Sequence, residues 1–68
     1  MRVGEIRIYE GGRLKETCEQ LPIREAEKSA QTYAAWISRD EDQPLVTVTE
    51  RDYRVGPYRV RVVEAGNY

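Results

Sequence analysis

Tyr58-Arg59-Val60-Arg61-Val62-Val63-Glu64 alternates aliphatic and cationic side chains with a period of two. A strand turns successive side chains to opposite faces, so Val60 and Val62 point one way while Arg59 and Arg61 point the other. The beginning of the chain repeats the device. Ile6 and Ile8 share one side, and Glu5, Arg7 and Tyr9 share the other. The sheet built from these strands has one face to bury and one that carries charge into water or onto a partner.

The face to bury needs a cover, and the middle of the chain supplies it. Ile23, Ala26, Ala30, Tyr33, Ala34 and Ile37 recur at helical spacing and form one apolar stripe. Pro22 suits the start of this helix, because its missing N–H would be unpaired there anyway. Early Glu25 and Glu27 and late Arg39 complement the helix dipole. Asp40-Glu41-Asp42-Gln43-Pro44 ends it. Three alanines in the stripe imply a close approach of helix to sheet.

The remaining strands follow from alternation and turn residues. Arg2 to Tyr9 is the first strand. Gly11 and Gly12 make a hairpin, for which a three-residue loop pairs Ile8 with Leu14 and keeps the apolar positions together. The second strand runs from Arg13 to Glu19, with Leu14 and Cys18 inward and Lys15 and Thr17 outward. Glu16 falls on the inward side, which fits either an edge strand whose carboxylate escapes to water or a face only half covered there. Leu45 to Glu50 is the third strand, with Leu45 on the open face. A turn near Arg51-Asp52 and a bend at Gly56-Pro57 lead into the fourth, Tyr58 to Glu64.

The expected architecture is therefore α+β: a two-layer ββαββ domain over residues 1–64, one helix on a four-stranded, mainly antiparallel sheet, with residues 65–68 as a C-terminal tail. A crossover from the second strand to a parallel third strand gives the order 2-1-3-4.

Composition narrows the chemistry. With 68 residues the chain makes one small domain, of a size that buries only about 60% of its unfolded surface. Histidine is absent, which removes Ser-His-Asp and Cys-His sites and the commonest metal ligand. Cys18 is alone, excluding an internal disulfide and fitting a reducing compartment; it reads as a small buried hydrophobe. No apolar run approaches the ~20 residues of a membrane helix, and no charged-then-apolar leader opens the chain. The expected location is the cytoplasm, away from membranes. Asp40-Glu41-Asp42 lacks the glycine and distal glutamate of a calcium loop and reads as a solvated helix end. Neither a cofactor nor a metal is expected, nor is enzymatic activity, since no carboxylate is predictably buried beside another.

The candidate residues for partner binding are Arg7, Tyr9, Lys15, Arg59 and Arg61 on the open sheet face and Trp36 on the helix flank. Trp36 lies about 100° around the helix from the stripe, where an interface anchor would sit. Tyr53 and Tyr58 flank the Gly-Pro bend; at least one is expected in a core that has no phenylalanine, and the pair with Arg54 on a projecting hairpin would equally make a binding tip. The expected function is a small non-enzymatic protein-binding module, similar in size and acidity to the regulators and inhibitors that phages and plasmids make. Two alternatives remain open: nucleic-acid binding through the basic face, with Tyr9 stacking, and a homo-oligomer subunit, for example a homodimer paired through an edge strand.

Overall fold

The computed structural model describes residues 1–67. Its elements are β1 (Arg2–Glu10), β2 (Arg13–Pro22), α1 (Ile23–Glu41), β3 (Leu45–Thr49), β4 (Asp52–Val55) and β5 (Tyr58–Asn67). One helix packs on one antiparallel sheet, the expected α+β arrangement, but the sheet has five strands rather than four. Their order is β2-β1-β5-β4-β3, and every neighbouring pair is antiparallel.

The extra strand is β4. Tyr53 and Val55 alternate inward as β4 residues, and Gly56-Pro57 is a two-residue hairpin turn rather than a bend within a strand. Gly56 has a φ of 54°, the left-handed region that the first position of a II′ turn requires. This hairpin places β5 between β4 and β1, so β3 is carried to the far edge. The crossover from β2 to β3 consequently spans the whole sheet instead of a single strand. β5 also extends to Asn67, taking up residues 65–67 that the sequence assigned to a tail. A bulge at Ala65 lets Val3 face Gly66 while Gly4 faces Glu64.

The first hairpin differs from expectation in register. Gly11 and Gly12 form a two-residue loop with φ of 59° and 83°, the pair of positive values that a type I′ turn demands. Tyr9 therefore pairs with Leu14 and Glu10 with Arg13. A bulge at Lys15 then restores parity, so that Ile8 pairs with Glu16. Leu14 consequently lies on the open face with half of its surface in water. β2 is an edge strand, as the inward-pointing Glu16 suggested, and that carboxylate is exposed.

Ile6, Ile8, Tyr53, Val55, Val60 and Val62 from the sheet meet Ala26, Ala30 and Ala34 from α1 in the core. The helix lies mainly over β1, β5 and β4 and touches β3 least. At the β3 edge the parity is the reverse of that expected: Leu45, opposite Val55, packs against the core, while Val46 and Val48 are about half exposed. α1 ends in a Schellman arrangement, with Asp42 at φ 52° and the Gln43 amide donating to the Ser38 carbonyl at 3.1 Å.

Candidate functional site: the open face of the sheet

α1 covers one face of the sheet, and among the described residues no second layer covers the other. Alternation sends Glu5, Arg7 and Tyr9 of β1, Arg59, Arg61 and Val63 of β5, and Asp52 and Arg54 of β4 to that open face. Antiparallel register fixes their neighbours. Arg54 stands directly opposite Arg59, which stands opposite Tyr9, which stands opposite Leu14. One row along, Asp52 faces Arg61, and Arg61 faces Arg7.

Two directly opposed arginine pairs thus occupy the centre of the face, and like charges in that relation destabilise a sheet. Each pair has one carboxylate nearby. Asp52 accepts from Arg59 Nε at 2.9 Å and from Nη2 at 2.6 Å, a forked contact. Glu5 accepts from Arg7 Nε at 2.7 Å and from Gln20 at 3.2 Å. The Arg59 guanidinium, assisted by Arg61 and Arg54, holds the Asp52 carboxyl below its usual range against the opposing effect of burial. Arg7 and Gln20 do the same for Glu5. Arg54 and Arg61 are exposed and enter no salt bridge among the described residues. The centre of the face therefore carries a surplus of two positive charges, on a chain whose net charge is −1.

Arg54, Arg59 and Arg61 line a hollow of about 370 Å³, with Tyr9 on one side and the glycine turns at Gly12 and Gly56 at its rim. The Gly11 amide donates to the Pro57 carbonyl at 3.0 Å, which ties the two hairpin tips together beside it. Large apolar side chains border the charge: Leu14 on β2, opposite Tyr9, and Val46 on β3, opposite Arg54.

Four of the six residues expected to bind a partner come together here: Arg7, Tyr9, Arg59 and Arg61. Lys15 does not. The bulge turns it to the helix side, where its Nζ lies 3.2 Å from Glu10 and 5.2 Å from the centre of the Tyr58 ring. It shares a small depression there with Ile8, Ile37 and Glu41. Trp36 is also elsewhere, half exposed on α1 and edge-on to Tyr33 with ring centres 5.7 Å apart. Tyr33 in turn reaches Cys18 of β2, where burial first and the Glu16 charge second push the thiol up. Arg54 and Asp52 were not anticipated on this face. Their alternation with Tyr53 and Val55 is the signal that would have placed them.

Among the described residues no cluster of His, Cys, Asp and Glu is arranged to hold a metal ion, and no helix is long and apolar enough to cross a membrane. Comparison of the chain with protein-family models, with curated proteins and with solved structures found no match.

The Asp52–Arg59 pair has a measurable pH signature. Because the carboxyl pKa is lower in the folded chain, the unfolded chain binds more protons as pH falls. The stabilisation is present at neutral pH and is lost as pH drops below about 4, through the depressed folded value. Asp52→Asn is expected to cost about 1–2 kcal/mol at pH 7, discounted because Arg59 keeps a third of its side chain in water. It should also flatten the acid limb of stability. Urea unfolding at pH 7 and at pH 3 checks both; an unchanged acid slope would exclude Asp52 as its source.

Proposed function

We propose that the protein is a small non-enzymatic binding module that presents its open sheet face to the acidic surface of a protein partner, in the manner of a cytoplasmic regulator or inhibitor. One observation carries this reading. The face left uncovered by α1 bears both the uncompensated arginines and two of the large exposed apolar side chains, Leu14 and Val46. Exposed apolar surface beside aligned charge is the composition of an interaction site, with arginine among the residues that dominate such contacts. The hollow of about 370 Å³ is partly open to solvent and suited to receiving a protruding side chain.

Capture from the native host with three baits tests the proposal: wild type, Arg54→Glu/Arg61→Glu, and Trp36→Ala. The partner should be retained by wild type and Trp36→Ala and lost by the charge reversal, with circular dichroism unchanged. Retention by the reversal and loss by Trp36→Ala would move the site to the helix flank.

The competing reading is nucleic-acid binding, favoured by Tyr9 standing beside the arginines, where a base could stack on its ring. Salt-titrated binding to single-stranded and duplex oligonucleotides separates the two. The acidic remainder of the chain disfavours a polyanion, so weak binding even at low salt is expected. Tight binding that falls steeply with salt would replace the protein partner by nucleic acid. A second copy of the chain is the third reading. β3 is an edge strand whose sequence, Leu45-Val46-Thr47-Val48-Thr49, carries no charge and no proline to block pairing, and its ladder has one irregularity against two in β2. Light scattering on the free protein reads this out, and a strict monomer at high concentration removes it.

A further inference from the structure

We infer that the hollow between the two hairpin tips is a binding site for a phosphomonoester dianion, a phosphoryl group carried on a side chain of the protein partner. The inference rests on the open face being the contact surface, and it names the chemistry that the centre of that face receives.

The first argument is placement. Arg54 on β4 and Arg59 and Arg61 on β5 line the same hollow together with Tyr9. Neighbouring strands lie about 4.8 Å apart, and alternate residues of one strand about 6.8 Å apart. These spacings root three arginines close enough for a group only a few ångströms across to be reached by more than one of them. An ester stem can leave through the open side of a hollow of about 370 Å³.

The second argument is charge. Asp52 neutralises Arg59 and, by gripping it through two nitrogens, fixes its fork in place. Arg54 stands across from Arg59 on β4 and Arg61 lies two residues along β5 from it, and neither has a carboxylate of its own among the described ion pairs. The surplus is two, which matches a phosphomonoester at neutral pH. A carboxylate or a phosphodiester brings a single charge and would leave an arginine uncompensated.

The third argument is chemistry. Planar guanidinium forks meet phosphoryl oxygens through paired N–H donors, a geometry that lysine does not offer. Every cation lining the hollow is arginine; Lys15 is turned to the other side of the sheet. A dianion between the rows also relieves the opposition of Arg54 with Arg59 and of Arg61 with Arg7.

The test is a ¹H–¹⁵N NMR titration of the full chain at constant ionic strength. The probes are a blocked phosphoserine peptide, the same peptide with aspartate in that position, inorganic phosphate, and a short oligothymidine as the phosphodiester. The expected result is saturable shifts at Gly12, Arg54, Gly56 and Arg61 with the phosphoserine peptide. The aspartate peptide and the oligonucleotide should need at least about tenfold more ligand. Arg54→Gln/Arg61→Gln, which removes both charges while leaving both side chains polar, should weaken the phosphoserine peptide by about tenfold or more. Binding should also weaken below about pH 6, where the phosphoryl group takes up its second proton.

Equal affinity for the aspartate peptide or the oligonucleotide overturns the dianion. Inorganic phosphate binding more tightly than the peptide overturns a partner-borne source in favour of free phosphate. Shifts that persist in the double variant overturn the site. Failure of these titrations while the charge-reversed bait still loses the captured partner leaves the open face as the contact surface and removes only the phosphoryl group. Saturable phosphopeptide binding alongside a partner that ignores the charge reversal refutes the open-face reading on which the inference depends.

Discussion

Gly4→Val is expected to abolish the folded state at 25 °C, and Gly4→Ala to lower its stability by about 1–3 kcal/mol. Gly4 lies on β1 beneath the first turn of α1. A β-carbon built there would lie 2.7 Å from Val62 Cγ1, 2.8 Å from Ile23 Cδ1 and 2.9 Å from Ala26 Cβ. Apolar carbons prefer about 3.5–4.0 Å. The Ile23 methyl ends a flexible side chain and can move aside. Val62 is stiff at its branch point, and the Ala26 β-carbon is fixed to the helix backbone, so one methyl must lift the start of α1 from the sheet. Valine adds two more carbons to the same space, in a domain small enough that the whole margin is only several kcal/mol. Urea unfolding followed by circular dichroism measures both variants. Ala26→Gly costs about 1 kcal/mol in a helix on its own, and it should cost less in the Gly4→Ala background, because it removes one of the clashing atoms. Additive effects there would show that Ala26 is not what the new methyl meets.

Tyr53→Ala should cost about 3–5 kcal/mol, the range for removing a large aromatic from a core, whereas Tyr53→Phe should cost no more than about 1 kcal/mol. Tyr53 is only 5% exposed and, among the described residues, is the one aromatic side chain in the buried core. Its ring fills space over β4 that three helix alanines leave open. Its hydroxyl donates to the Glu50 carbonyl at 3.3 Å, a long bond whose loss is small. Burial pushes the phenol up, with Glu27 and Glu50 adding to the shift, so at neutral pH the hydroxyl is a donor. A denaturant series on the three proteins separates ring from hydroxyl. If Phe and Ala cost the same, the hydroxyl and not the ring holds β4 in place.

The parts of the fold that the sequence makes plain are those where parity runs unbroken. Ile6 and Ile8, Val60 and Val62, and the stripe through Ala26, Ala30 and Ala34 all lie where alternation and helical spacing put them. Trp36 stands half exposed on the helix, away from the alanine stripe, as its position around the axis implied. Parity fails where a backbone irregularity inserts one residue. The bulge at Lys15 exchanges the faces of Leu14 and Lys15, and no side-chain pattern announces it, because both registers of the hairpin bury Ile6 and Ile8 equally well. Gly56-Pro57 is ambiguous for another reason. The same dipeptide fits a bend or a II′ turn, and only the pairing of β4 with β5 chooses between them. That choice decides whether Arg54 faces the arginines of β5, so the most highly charged part of the candidate site became legible only with the sheet order.

β1 and β5, the first and last strands, are neighbours at the middle of the sheet. Their ladder joins residues nearly the whole described chain apart, from Arg2 with Asn67 to Glu10 with Tyr58. Contacts so distant in sequence are slow to form, because the intervening chain must be closed into a loop before they return any energy. During synthesis the hairpin of β1 and β2 leaves the ribosome early, with one side of its central strand unzipped and greasy. It must wait in that condition until the final ten residues of the sheet emerge to close it.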